Sequence, residues 1–272
     1  DELWIIGTQT SEVWAISGDP DAPFNRISGR VFNKGCVSEE SVAAASFKSL
    51  PCLIWVSRNK EVILAQGAPD KISNDFVEEV LRGSTYHRGW FFQRQRNDFY
   101  VLSTNLMTLV YDIGNATWYK WSTINQDTWK VSAGAQKDNL LYGADFLESP
   151  KLYKVSEGYL DGDKEWLVAE VTGFVPHNKR DALSCGTVDL YLNAGLGSSY
   201  LVDPVIEARW SDDQGANWST YAQTTIGARG GTDNRTQFRS LGLIRTPGRR
   251  FEFRFSLAEQ FRLDYALMNN EG

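Results

Sequence analysis

The sequence is poor in the residues that many enzyme and metal sites use. Its three cysteines, Cys36, Cys52 and Cys185, have spacings that fit neither a zinc site nor a disulfide framework. A reducing compartment is the simplest interpretation, although one disulfide remains open. The only two histidines, His87 and His177, lie in no nucleophile-elbow motif, so a Ser-His-Asp or Cys-His mechanism has little support. We expect both histidines in turns or loops.

Several other kinds of site are also missing from the sequence. No run approaches the roughly 20 apolar residues that a membrane helix needs. The net charge of −6 argues against a protein held to nucleic acid by bulk charge. Asp161-Gly162-Asp163 lacks the remaining oxygen ligands of a calcium loop, and Gly195-Leu196-Gly197 does not open a helix. The sequence therefore predicts no cofactor and no metal.

Aromatic residues are abundant, with 10 Trp, 11 Tyr and 14 Phe, and they favour β structure. Hydrophobic residues make up 42% and charged residues 23%, which is typical of folded domains. The length of 272 residues allows one large all-β domain or two smaller domains. Because the chain begins at Asp1 without a Met or a leader segment, we expect it to be part of a longer protein.

Short strand–turn–strand units recur along residues 1–160. The clearest unit comprises Trp90 to Arg94, Phe99 to Ser103, Leu109 to Asp112 and Thr117 to Trp121. Recurrence at roughly 40–45 residues with aromatic strand ends is typical of β-propeller blades. We therefore predict an N-terminally truncated propeller with about three to four blades, and a generic antiparallel sandwich is the alternative. One helix is expected at Ser73 to Leu81, with Asn74 as its N-cap.

Residues 161–272 have a different sequence pattern, which predicts longer strands joined by glycine-rich loops. This pattern predicts a β-sandwich or jelly-roll-like domain. From Val205 onward there are nine Arg and no Lys. The alternation of Arg250, Glu252 and Arg254 favours a solvated, ion-paired strand face. A second interpretation is that arginine is used for protein–protein contacts.

One short motif fits the Asp-box pattern S-x-D-x-G-x-x-W at Ser211, Asp213, Gly215 and Trp218. It predicts a structural hairpin turn in which the carboxylate accepts backbone hydrogen bonds, glycine takes a positive φ and the indole covers the loop. Asp boxes are familiar from sialidases, but they lie away from the chemistry. A sialidase also needs three arginines and a Tyr–Glu pair, and the sequence nominates no such set. No catalytic residue is predicted.

Several short sequence segments, in their order along the chain, resemble those of the packaged-DNA stabilisation proteins of short-tailed bacteriophages, also called tail accessory or head-completion hub proteins. The resemblance extends from Val13 to about Phe255. The segments are Glu12-Val13-Trp14, Pro23 to Ile27, Gly35-Cys36, Ser41 to Ala44, Phe99 to Leu102, Val110-Tyr111-Asp112, Thr117-Trp118, Pro176-His177, Arg209 to Ser219, Arg239 to Gly242 and Phe251-Glu252.

The resemblance implies a structural virion protein and not an enzyme. It implies a homo-oligomer, a hexamer, that joins head to tail and contacts the portal or adaptor ring, the tail needle and the tailspike proteins. Packaged DNA would be contacted only indirectly, and the protein would be made in the host cytoplasm and located in the virion tail. Exposed interface residues are expected at Arg249 and Arg250. The alternative function is a glycan-binding or sialidase-like propeller.

Overall fold

The structure is a computed structural model that describes residues 2–48, 50–94, 96–138, 140–145, 151–155, 160–161, 165–192, 204–227, 235–256 and 262–269. These residues are almost entirely β, with one α-helix and one short 3-10 helix at Glu39–Ser41. No described helix is long and apolar enough to cross a membrane. The chain separates into two compact units, Asp1–Glu157 and Gly158–Gly272. Gly162, Asp163 and Gly195 to Gly197 lie outside the described residues.

In the described part of the first unit, four antiparallel sheets have strands that pair in chain order. The first sheet has β1 (Glu2–Ile6), β2 (Ser11–Ile16) and β3 (Phe24–Phe32). The second has β4 (Ala43–Phe47), β5 (Leu50–Val56), β6 (Val62–Gln66) and β7 (Ala68–Lys71), and helix α1 (Asp75–Gly83) follows it. The third has β8 (His87–Arg94), β9 (Asn97–Thr104), β10 (Thr108–Asp112) and β11 (Thr117–Trp121). The fourth has β12 (Ala133–Lys137), β13 (Leu140–Asp145) and β14 (Lys151–Val155).

Apolar side chains join each sheet of the first unit to the next. Because strand side chains alternate between faces, Trp55 of β5 packs toward Trp4 and Ile6 of the first sheet, whereas Ile54 packs toward the third. The core between the second and third sheets also contains Tyr100 and apolar residues of α1. The third core joins the third and fourth sheets through the following residues: Trp90, Phe92, Val101, Val110, Val131 and Leu141. Serial packing of meandering sheets is the blade arrangement of a propeller, and here it forms a partial propeller of about four blades.

The two end sheets of this arrangement leave apolar faces open. The outer face of the first sheet carries five large side chains that are each at least 41% exposed: Leu3, Ile5, Ile16, Phe24 and Val31. Strand pairing places them on one face, opposite to the face that packs on the second sheet. On the fourth sheet, Leu140 and Leu152 are exposed in the same way. The described sheets therefore do not close into a ring.

Helix α1 begins two residues later than the predicted Ser73 to Leu81. Asn74 is the N-cap, with extended backbone, and its side-chain oxygen accepts a hydrogen bond from Val77 N at 3.0 Å. This satisfies one of the amides that the first helical turn leaves unpaired. Glu78 is buried in the helix and accepts hydrogen bonds from Lys71 and Ser73.

The second unit is built on two facing antiparallel sheets. The larger sheet has the spatial order β17 (Ala169–Pro176), β24 (Gly248–Phe255), β20 (Val205–Ser211) and β21 (Ala222–Thr225). The smaller one has the order β22 (Thr236–Arg239), β19 (Thr187–Leu192) and β25 (Leu263–Asn269). Short two-residue strands form two further pairs: β15 (Leu160–Asp161) with β16 (Glu165–Trp166), and β18 (Leu183–Ser184) with β23 (Leu243–Ile244).

Inward residues from both sheets fill the core of the second unit. From the larger sheet come Phe251, Phe253 and Phe255 at every second position of β24, and Val188 and Leu190 come from the smaller one. Two sheets with alternating inward residues form a β-sandwich, as the sequence predicts.

Candidate contact surface

The Asp-box residues form a tight turn directly after β20. Ser211 Oγ donates to Asp213 Oδ1 at 2.7 Å and accepts from Gly215 N at 2.8 Å. The Asp213 carboxylate accepts from Asn217 N at 2.8 Å and Asn217 Nδ2 at 2.7 Å. These Asn217 bonds, with that of Ser211, lower the pKa of Asp213 to about 2. Gly215 has a φ of +104°, which an L side chain rarely adopts.

Trp218 connects this turn to the outer face of the larger sheet. Its ring centroid lies 4.7 Å from the guanidinium carbon of Arg209, which also lies 4.8 Å from the ring of Tyr221. The Arg209 guanidinium donates to both oxygens of Glu252, from Nε at 2.6 Å and Nη2 at 3.0 Å. Tyr221 Oη donates to Glu252 Oε1 at 2.9 Å. A largely buried carboxylate is therefore satisfied by three donors on the sheet face.

The Tyr221–Glu252 pair has the residue types of a sialidase nucleophile, but its electrostatics are different. Burial, followed by the hydrogen bond to Glu252, raises the pKa of Tyr221. The hydroxyl is therefore held in its protonated form, whereas a nucleophilic phenol benefits from a lowered pKa. Glu252 lies on β24 and Tyr221 immediately precedes β21, so the pair belongs to the second unit and not to the described blades.

The expectation that Arg249 is exposed is wrong. Arg249 is only 3% exposed, and its guanidinium donates to the Asp212 carboxylate at 2.6 and 2.8 Å. It also donates to the backbone oxygens of Leu241 and Leu243. The physical reason is strand alternation: Arg249 lies on the same face of β24 as Phe251, which points into the sandwich. That periodicity could have assigned Arg249 to the interior from the sequence.

Arg250 lies on the opposite, exposed face of β24. It pairs across the sheet with Phe174 of β17, which is 48% exposed, and with Ser211 of β20. Its neighbours along this face are ion-paired: Arg209 with Glu252, and Arg254 with Glu170 at 3.7 Å. The described residues provide no acidic partner for Arg250. The outer face of the larger sheet therefore combines exposed aromatic groups with one unpaired cation.

The two histidines occupy different environments. His87 is the first residue of β8 and is buried, so it is not the turn or loop residue that the sequence suggests. Its Nε2 lies 2.9 Å from Ser84 Oγ and 3.3 Å from Lys60 Nζ. Burial, and then the Lys60 charge, lower the pKa of His87. His177 follows β17 in a loop, where its Nε2 contacts Asp181 O at 2.5 Å.

The first unit also contains an open cleft of about 460 Å³. Polar loop residues 9–10, 33–35 and 57–59 line it, including Arg58 and Lys34, and Lys34 is paired with Glu61 at 2.6 Å. Across the described ranges, no group of three or more His, Cys, Asp or Glu side chains could hold a metal ion. The cleft is open and polar, unlike the apolar enclosed sites that commonly hold cofactors.

Known proteins provide one decisive match to this chain. The sequence profile of the family Phage_stabilise, described as bacteriophage P22 Gp10, β-propeller, matches residues 1–146. The chain belongs to this family. The matched part of the Phage_stabilise protein extends over β1 to β13, and thus over the serially packed sheets of the first unit. Its members are bacteriophage structural proteins, so the resemblance drawn from the sequence is confirmed.

Other comparisons add little about this Phage_stabilise protein. No curated protein matches it. Among solved structures, it is similar to the exo-β-1,3-galactanase from Phanerochaete chrysosporium, Pc1,3Gal43A, with galactose. That match has 10% sequence identity, covers 99% of this chain and 68% of the galactanase chain, and has a TM-score of 0.23. A likeness at that level supports no argument about fold or activity.

Proposed function

We propose that this chain joins the head to the tail of a short-tailed phage and helps to seal the packaged DNA. Its membership in the Phage_stabilise family is the observation that supports this role most directly. Such a protein works in the virion tail after synthesis in the host cytoplasm. Residues 1–160 and 161–272 act as two separate domains in this proposal.

The proposed partners are the portal or adaptor ring, the tail needle and the tailspike proteins, with a hexamer as the assembled form. The open apolar face of the first sheet supports contact with a further β-sheet or with a partner protein, because isolated soluble proteins rarely expose such a patch. Burying the exposed parts of its five large side chains would contribute on the order of 5 kcal/mol. DNA contact is indirect, since a net charge of −6 gives no general attraction to phosphate.

The decisive experiment is a phage that lacks this protein. We expect particles without complete tails, from which DNA leaks after packaging, when virions are imaged and their DNA content is measured. Complementation with Ile5→Glu should fail to restore tails, because this change places a charge on the open face of the first sheet. Leu106→Glu is the matched control, since Leu106 is 40% exposed in a turn of the same unit. Tailed, DNA-filled particles without the protein would refute the proposal.

A second candidate function is a glycan-binding or sialidase-like protein. The observation in its favour is the cluster of Tyr221, Glu252 and Arg209 on one sheet face, with Arg250 close by. A fluorogenic sialoside tests it directly, with Tyr221→Phe as the variant that removes the nucleophilic oxygen. Turnover that disappears in this variant would establish the enzymatic function, whereas the raised pKa of Tyr221 leads us to expect none.

A further inference from the structure

Strand β17 lies at one end of the larger sheet of the second unit, so it has one paired edge and one outer edge. All eight of its residues pair with β24 without a bulge, from Ala169 opposite Phe255 to Pro176 opposite Gly248. In the described part of the unit, no strand or loop backbone hydrogen-bonds to the outer edge. Because strand amides and carbonyls alternate in direction, about half of the residues of β17 present unpaired groups there.

This edge lacks the features that normally prevent further pairing. Natural edge strands use lysine, proline, inward charges, bulges or short length for that purpose. In β17 the only proline is the last residue, and the core-facing residues are uncharged: Ala169, Val171, Gly173 and Val175. The other long edge strand, β25, is different, because its pairing with β19 is irregular near Tyr191 and it carries Asp264.

The side chains of β17 indicate what could lie beside it. Val171 faces the core side but is 46% exposed, and a Cβ placed on Gly173 would meet no atom within 4 Å. An added strand could therefore place apolar side chains there. On the outer face, the Glu170 side chain is 52% exposed, and its ion pair with Arg254 is long at 3.7 Å. A basic side chain would complement Glu170 at this position.

We propose that the outer edge of β17 binds an extended segment of a partner protein as an added antiparallel strand. The segment has apolar residues on the side of Val171 and a lysine or arginine beside Glu170. Backbone hydrogen bonds supply affinity in this type of recognition, and alternate side chains supply specificity. The inference rests on the proposed function only for its expectation that the partner is another virion protein.

Charge favours a foreign strand over a second copy of β17. Self-pairing about a twofold axis at Thr172 would place Glu170 opposite Phe174 and would bring no cation to the carboxylate. The core-facing positions would pair Val171 with Gly173, which is sterically acceptable. A foreign strand can therefore bring a basic residue to Glu170, whereas a second copy of β17 cannot. For this reason the probe is a peptide that contains lysine.

The probe is a blocked, fluorescein-labelled peptide, Thr-Val-Lys-Val-Thr-Val-Lys, added to the full chain. We expect saturable binding by fluorescence anisotropy and slower hydrogen exchange of amides in residues 169–175. Val171→Lys should weaken binding at least about tenfold, because it places a charge on the inward side of the edge. Leu243→Lys, at a side chain that is 52% exposed elsewhere in the unit, should bind like the parent.

Charge exchange tests the specificity. Glu170→Lys should bind the lysine peptide about two- to fivefold more weakly and should prefer a peptide with glutamate in place of lysine. A peptide N-methylated at the alternate residues whose amides face β17 should not bind, and this measurement does not depend on the folding of any variant. Equal binding of the N-methylated peptide, or protection outside β17, would overturn the proposal.

Two further outcomes are distinguishable. Slower exchange of β17 with rising protein concentration, in the absence of peptide, would identify a second copy as the occupant and would contradict our choice. Failure of the virion role would appear in the phage experiment as normal particles without the protein. That result would leave the peptide measurement unchanged.

Discussion

Replacing Arg249 with methionine tests most directly how much this buried cation contributes to the stability of the sandwich. Arg249→Met retains an unbranched side chain of similar length but removes every donor. It leaves the carbonyls of Leu241 and Leu243 without the guanidinium, whereas the half-exposed Asp212 carboxylate can return to water. Bonds to a charged donor contribute about 1.5–3 kcal/mol each, so two lost carbonyl partners correspond to about 3–6 kcal/mol.

The adjacent residue provides a matched control on the same strand. Arg250→Met removes an equal charge from the exposed face, where no described carboxylate is lost, and should change the free energy of unfolding by less than about 0.5 kcal/mol. Urea and thermal unfolding of both variants, followed by hydrogen exchange of β24 amides, give the comparison. If the Arg249 and Arg250 variants were equally stable, the Asp212–Arg249 network would have no structural role and our reasoning would be wrong.

Three further predictions concern pH and packing. Because the pKa of His87 is lowered in the folded state, its contribution to the free energy of unfolding is complete above pH 6.5 and is lost as the pH falls through the folded pKa. The urea midpoint should therefore drop at acid pH, and His87→Gln should reduce that drop. The lowered pKa of Asp213 gives stability above pH 3.8 that is lost toward pH 2, and Asp213→Asn should abolish this dependence in thermal melts. Gly134→Ala would place a Cβ 2.3 Å from the Trp90 ring and should cost about 1–3 kcal/mol or more in denaturant unfolding, whereas Gly173→Ala, with open space around it, should be nearly neutral.

The regular strands were predictable because local pattern and tertiary environment agree. Trp90 to Arg94 lies within β8, and Thr117 to Trp121 coincides with β11. Strand β7 was missed because Pro69 and Asp70 disfavour strand structure. Its pairing with β6 is imposed by the sheet, at an edge where proline is tolerated.

The contact surface was less predictable than the fold because it depends on residues far apart in the sequence. The Asp-box pattern identified the Ser211 turn. The arginine that stacks on Trp218 is Arg209 of β20, however, and the carboxylate that binds this arginine is that of Glu252 in β24. Sequence spacing does not reveal that Arg209 and Glu252 are direct neighbours across the sheet. Sequence spacing does predict that Arg249 lies on the inward face of β24, because the inward phenylalanines follow it at every second position.

The serial packing of the first unit has a consequence for its cooperativity. Its apolar cores join consecutive sheets, so the free energy of the unit approximates a sum of single-sheet and nearest-neighbour terms, as in repeat proteins. The second and third sheets have two covered faces, while the first and fourth have one. Thermal opening should therefore begin at the ends of the array and move inward, and amide exchange should slow in the same order.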